Sequence, residues 1–231
     1  MSGRVVAIDG PAASGKSTTA RLVAERLGHL YLDTGAMYRA ITWKALQEGT
    51  DLTDEEALGR LAASTDLDLA HGAEGTRVVV DDRDVTGEIR DPEISRTVSL
   101  VARVPAVRRE MVRLQRGVGQ RGDVVVEGRD IGTVVFPDAE VKVFLVASLK
   151  ERARRRSREL ASEGVVVPVE ELMDQIRKRD ALDSDRLDSP LCRAEDAVPL
   201  DTTKMTIEEQ VLAVVEIVRQ RREAESGTSN G

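Results

Sequence analysis

With 231 residues, 41% of them hydrophobic, the chain suits one domain with insertions or two small ones, and its apolar share excludes a largely disordered protein. A formal net charge of −7 and an aromatic content of 2% argue against a protein built to hold nucleic acid by phosphate contacts and base stacking. A single cysteine, Cys192, excludes an internal disulfide, and no apolar run reaches the length of a membrane span, so the expected setting is the reducing cytoplasm.

In chain order, RVVAIDG (4–10) is a short apolar run stopped by glycine, the mark of a buried strand. Lys16 to Leu27 is helical, with Ala20, Val23, Ala24 and Leu27 on one face. HLYLDTG (29–35) is a second strand, followed by a helix over 36–49 closed at Gly49. Further strands are expected at DVVVEG (123–128), VKVFLVAS (141–148) and AVPLDTT (197–203), and the last leads into a helix opened by the capping box Thr206–Glu209. Both outer parts of VVVEGRDIGTVVFP (124–137) resemble buried strand. Strands alternating with helices predict an α/β fold, a five-stranded mainly parallel sheet flanked by helices. Residues 62–98 alternate and carry turn signals, which predicts a small strand-rich insertion. Residues 150–190 are helical and heavily charged, a solvent-facing or mobile lid rather than core. The remaining segments, 1–61, 99–149 and 191–224, form the core, and 225–231 a flexible tail.

The first chemistry-bearing motif is Gly10-Pro11-Ala12-Ala13-Ser14-Gly15-Lys16-Ser17, with Thr18 following, which fits G-x-x-x-x-G-K-[ST] between a strand and a helix. Backbone N–H groups of such a loop cup the β-phosphate of ATP, the lysine reaches the β- and γ-oxygens, and the Ser17 hydroxyl can ligate Mg²⁺. A GTPase is disfavoured because the only asparagine, Asn230, lies in the tail, leaving no guanine-reading motif. A small P-loop kinase fits best.

Ligands of open parallel sheets gather beyond the carboxyl ends of the strands. There the second strand runs into Asp33-Thr34-Gly35 with Arg39 one turn later, and the third into Gly128-Arg129-Asp130. Each taken alone reads as a solvated loop; together with a phosphate loop they read as a site. Arg179, Asp183 and Arg186, spaced i, i+4, i+7, share one helical face, which taken alone is an ordinary ion-pair ladder.

GPAASGKST, LDTGAMYR, VTGEIR, EGRDIGTVVFPDA and KRDALDSDR, in this order from about residue 4 to about 220, resemble the bacterial cytidylate kinases. The resemblance implies transfer of the γ-phosphate of ATP to CMP or dCMP in a P-loop nucleoside monophosphate kinase fold, with 62–98 as the nucleotide-binding insertion and 150–190 as the lid and adjoining acceptor-binding helix. It assigns cytosine to Thr34, Arg108, Asp130 and Arg186, the sugar to Ser99, Arg179 and Asp183, and the acceptor phosphate to Arg39 and Arg129. Lys16, Arg39 and Arg129 are then the catalytic set, and Mg²⁺ with ATP the cofactor system. An acceptor phosphate is already anionic, so no general base is needed, and His29 and His71 lie outside every motif. Of Arg152, Arg154, Arg155, Arg156 and Arg158, a helix can aim only some at ATP, the others meeting acids such as Glu151 and Glu159. Three positions depart from many relatives: Thr34 for Ser, Ala13 for Gly and Glu127 for Asp. Glu127 either supports Mg²⁺ through water or caps the strand. The expected partners are small molecules, with no nucleic acid and no membrane, and the expected state is a monomer. The competing readings are a kinase for UMP or another small acceptor, and a non-catalytic ATP-binding module.

Overall fold

The computed structural model describes residues 3–72, 75–162 and 164–228. In chain order the main elements are β1 Val5–Asp9, α1 Lys16–Leu27, β2 Leu30–Asp33, α2 Thr34–Gln47, α3 Glu55–Ser64, β3 Leu67–Gly72, β4 Gly75–Val80, β5 Arg83–Asp84, α4 Pro92–Ala102, α5 Pro105–Gly119, β6 Val124–Gly128, β7 Val141–Val146, α6 Leu149–Ser162, α7 Val169–Ser184, β8 Val198–Asp201 and α8 Ile207–Thr228. They divide into two compact units, one of Leu32–Arg121 and one of Ser2–Tyr31 with Gly122–Gly231.

The second of these carries the five-stranded sheet, in the order β2-β6-β1-β7-β8. β1 pairs in parallel with β6 and β7, and β7 in parallel with β8. Valine-rich strands suit this position because both faces are covered: Val6, Ala7, Ile8 and Val124 to Val126 are fully buried. Ala20, Val23 and Ala24 of α1 and Val211, Val214 and Val218 of α8 complete that core. Helix α1 stops at Gly28, whose φ of 66° is the left-handed cap that glycine tolerates best. The capping box ahead of α8 is formed, with Thr206 N donating to Glu209 Oε2 at 2.7 Å and Glu209 N to Thr206 Oγ1 at 3.3 Å.

Three expectations change in this unit. Residues 131–135 form a π turn, not the second strand that the apolar run suggested. Residues 225–228 continue α8 where a tail was expected, and 229–231 lie outside the described residues. Helices α6 and α7 are more than a charged surface, since Ala153, Leu160, Leu172 and Ile176 bury an apolar cluster around Ala12 of the phosphate loop.

The unit of residues 32–121 joins four helices to the antiparallel strands β3-β4-β5. It is wider than the 62–98 insertion, because α2, α3 and α5 belong to it as well. Aspartates cap three of its helices: Asp33 accepts from Ala36 N, Asp54 from Glu56 N and Ala57 N, and Asp91 from Glu93 N ahead of Pro92. The β4–β5 hairpin turns through Asp81 and Asp82, whose φ values of 47° and 65° give the two left-handed residues of a two-residue primed turn. Lys44 steadies it by an ion pair to Asp81 at 2.6 Å. Ala36, Ala40, Trp43, Val78, Val80, Val85, Ile89 and Ile94 form the core beneath.

Candidate active site

In the sheet-bearing unit β1 and β6 end side by side, with Asp9 opposite Gly128 in the register. The chain leaving β1 becomes the phosphate loop and the chain leaving β6 becomes Arg129–Asp130, so both motifs open at the carboxyl ends of two adjacent interior strands. Gly10 is required for the close turn, because a Cβ there would sit 2.2 Å from the Leu145 carbonyl oxygen. Gly15, with φ 96°, forms the N-cap of α1. Ala13 takes φ 56°, a left-handed conformation held by a residue with a Cβ.

Lys16 is buried, and its Nζ donates to Pro11 O at 2.7 Å and to Ser14 Oγ at 3.4 Å. Burial first, and then the positive charges of Arg129 and Arg179, bring its pKa down to about 7, against the pull of Glu127 and Asp9. Ser17 Oγ donates to Glu127 Oε1 at 2.6 Å, so the candidate metal hydroxyl and the acid at the end of β6 are in direct contact. Tyr31 OH adds a bond to Ser17 O at 3.4 Å.

The arginine-rich helix α6 sorts its cations by phase. Arg155 donates to Ser14 O at 2.9 Å, and Arg152 to Ala12 O at 3.0 Å. Arg154, Arg156 and Arg158 turn away to Glu151, Glu159 and Glu151 respectively. Asp180 of α7 completes a ring at the loop, accepting from Ala12 N at 3.0 Å and from Arg152 at 2.5 Å. One peptide residue, Ala12, is thus gripped at both polar ends by an ion pair from two helices. Asp180 was not expected as a site residue, although it lies within KRDALDSDR.

At the β6 exit Arg129 donates through Nε to Asp183 Oδ2 at 2.9 Å and through a terminal nitrogen to Gly128 O at 3.0 Å. Arg186 donates to the other Asp183 oxygen. Burial works to raise the Asp183 pKa, but Arg129, Arg186 and Arg179 outweigh it and hold the carboxylate below its ordinary range. Asp130 is buried at the N-cap of the π turn, and its carbonyl accepts from Val134 N at 2.9 Å. Asp9, also unforeseen as a site residue, is buried with its oxygens on Ile131 N and Gly132 N at 2.9 and 2.8 Å. Burial, reinforced by the charge of Asp130, raises its pKa to about 6 despite those two bonds and Lys16. The only sequence sign of Asp9 was a charge closing an apolar run.

In the unit of residues 32–121, Thr34 is the buried first residue of α2. Arg39, one turn on, pairs with Asp33 at 2.9 Å. Ser99 lies buried on α4 and Arg108 buried on α5. Arg108 donates to Ala102 O at 3.3 Å and rests its guanidinium 5.6 Å from the Tyr38 ring centre, a cation–π contact. His29 lies 3.8 Å from Asp123, and the side chain of His71 lies outside the described residues.

A family model described as cytidylate kinase matches residues 6–220 of this chain. A cytidylate kinase of Pelotomaculum thermopropionicum is 54% identical over 211 residues, 91% of this chain and 93% of its own length. A cytidylate kinase of Bacillus subtilis is 52% identical over 216 residues, 94% and 96% of the two chains. A solved gluconokinase of Sinorhizobium meliloti aligns over 98% of this chain and 97% of its own with a TM-score of 0.50 at 16% identity, a likeness of fold alone. No helix among the described residues is long and apolar enough to cross a membrane.

Proposed function

The chain belongs to the cytidylate kinase family, and from that membership we propose that it transfers the γ-phosphate of ATP directly to CMP and dCMP. The observation that carries the reading is the pairing of a phosphate loop, with Lys16 buried in it, and an arginine–aspartate cluster at the next strand exit. A nucleoside monophosphate offers an anionic oxygen that needs no base. The obstacle is two polyanions meeting in line, so catalysis reduces to positioning and neutralising charge.

In this reading Gly10 to Thr18 hold the ATP phosphates, and Arg39 and Arg129 grip the acceptor phosphate with forked, charge-assisted bonds. Ser99, Arg179 and Asp183 take the sugar. Thr34, Arg108, Asp130 and Arg186 take the base: cytosine presents an amine that a carboxylate can accept, whereas uracil would turn an oxygen toward Asp130 and leave both unpaired. Arg39 and Arg129 now pair with Asp33 and Asp183, so binding CMP involves an exchange of carboxylate for phosphate at each arginine.

Among the described residues no group of three or more His, Cys, Asp or Glu could cage a metal ion. Ser17, its hydroxyl in contact with Glu127, would hold Mg²⁺ together with the triphosphate, and Glu127 would support it. When bound, that ion neutralises charge on the β- and γ-oxygens. The contact favours support of the metal over mere strand capping as the role of Glu127. Helices α6 and α7 are the proposed lid, which keeps water from the γ-phosphate. The proposed setting is pyrimidine nucleotide metabolism in the cytoplasm, by a monomer acting on small molecules.

An ADP-release assay with CMP, dCMP, UMP and AMP tests the reading. Turnover strongest with CMP or dCMP is expected. Equal turnover of CMP and UMP would remove Asp130 from base recognition, and no turnover with any acceptor would leave only an ATP-binding module.

A further inference from the structure

The last residue of β1, Asp9, is a buried carboxylate to which phosphoryl transfer gives no role. Its two oxygens accept from the backbone of Ile131 and Gly132, the first two residues of the π turn that follows Asp130. Asp130 occupies the N-cap of that turn, a position where aspartate ordinarily accepts from the turn's own N–H groups. Here its side chain makes no such cap bond. The capping is done by a second aspartate, from the neighbouring strand, 122 residues away in sequence.

Each of the two N–H donors meets its own oxygen, an arrangement that a carboxylate supplies. Asparagine would offer one oxygen and turn its amide hydrogens against the other donor. That need explains why a charge is kept here although burial raises its pKa to about 6. Space beside the turn is tight, since a Cβ on Gly132 would lie 3.1 Å from Lys142 Cδ and 3.4 Å from Asp9 Oδ2.

We propose that Asp9 is a specificity-positioning residue: by fixing the first two N–H groups of the turn that follows Asp130, it positions Asp130 for the amine of a cytosine base. The proposal rests on the reading of Asp130 given above. It links the exit of β1 to base recognition at the exit of β6, without Asp9 touching substrate.

The test measures kcat/KM for CMP and for UMP, KM for ATP and thermal midpoint in wild type, Asp130→Asn and Asp9→Asn. Asp9→Asn is expected to lower the CMP-to-UMP ratio about tenfold, as one unmade buried hydrogen bond would, with KM for ATP within about twofold of wild type. A ratio kept in Asp9→Asn but lost in Asp130→Asn overturns the role of Asp9 alone. KM for ATP and for CMP rising together shows a general structural part and overturns it equally. A ratio that survives Asp130→Asn, or a wild type without preference, overturns the reading of Asp130 and the inference with it. If Asp9→Asn does not fold, amide exchange in the wild type decides: Ile131 and Gly132 must be protected without CMP, and exchange at open-chain rates overturns the proposal.

Discussion

Asp183 holds two guanidiniums at once, Arg129 through Nε at 2.9 Å and Arg186 through its other oxygen. One buried acid therefore sets the position of two arginines with different proposed tasks, one for the acceptor phosphate and one for the base. Removing one partner of a buried ion pair costs about 3–5 kcal/mol, because a desolvated charge is left uncompensated. Asp183→Asn is expected to lose stability of that order in urea unfolding at pH 7 and to weaken CMP binding at least tenfold. Because the guanidiniums hold its folded pKa below the unfolded value of 3.8, the wild-type contribution is complete above that value and lost as pH falls through the folded one. An unchanged unfolding midpoint at pH 7 would show the pair to be energetically idle.

Lys16→Met is expected to lower kcat by roughly 10²–10³ or more, the usual effect of deleting one donor to developing charge. CMP binding, measured by calorimetry, should persist, since none of the groups assigned to the acceptor is removed. Loss of CMP binding in a folded variant would contradict separate donor and acceptor contacts.

Asp180 and Arg152 grip the two ends of one residue, Ala12, and each other. Groups acting as one unit show strong non-additivity. Asp180→Ala and Arg152→Ala should each raise KM for ATP, and the double variant should be no worse than the poorer single. Multiplying effects would mean that the three contacts act independently.

For Asp9 the pH dependence has the opposite sign to Asp183. Its folded pKa, about 6, lies above the unfolded 3.8, so the folded state binds the extra proton between those values. Asp9 therefore lowers stability as pH rises from about 4 to about 6, by on the order of 3 kcal/mol. Subtracting the Asp9→Asn curve from the wild-type urea series should isolate that slope. A difference curve that is flat, or rises with pH, would refute the burial cost.

Ala13, at φ 56°, keeps a Cβ in a left-handed conformation that costs about 1–2 kcal/mol. Ala13→Gly relieves this but adds about 0.5–1 kcal/mol of chain entropy to be lost on folding. The net expectation is a gain between zero and about 1.5 kcal/mol, with ATP turnover retained. A loss above 1 kcal/mol would mean that the methyl packs well enough to outweigh the strain.

Much of the site was legible because strand ends announce themselves. Apolar runs stop at Gly10, Gly35 and Gly128, and the charges just beyond them lie where a parallel sheet opens. The π turn was not legible, since IGTVV has the composition of a strand and is too short for periodicity to decide. The helices at 92–102 and 105–119 went unassigned although Asp91-Pro92 is a clear start signal, because the alternation upstream suggested strand. The choice among the lid arginines needed the phase of α6: Arg152 and Arg155, three apart, share the face toward the loop. Asp180 is not distinguished in sequence from the other charges of KRDALDSDR, because its partners, Ala12 and Arg152, are distant in the chain. The role of Asp9 could not be read from the charge that closes an apolar run, because its partners are the backbone of a distant segment.

Trp43, the only tryptophan, lies in the core of the unit of residues 32–121, with the Arg83 guanidinium 5.1 Å from its ring centre. Its emission is therefore a built-in optical reporter for one of the two units and is blind to melting confined to the other. Where fluorescence and far-ultraviolet circular dichroism give the same unfolding midpoint, the whole chain melts together. Where the tryptophan signal moves separately, the two units have independent thermal lives.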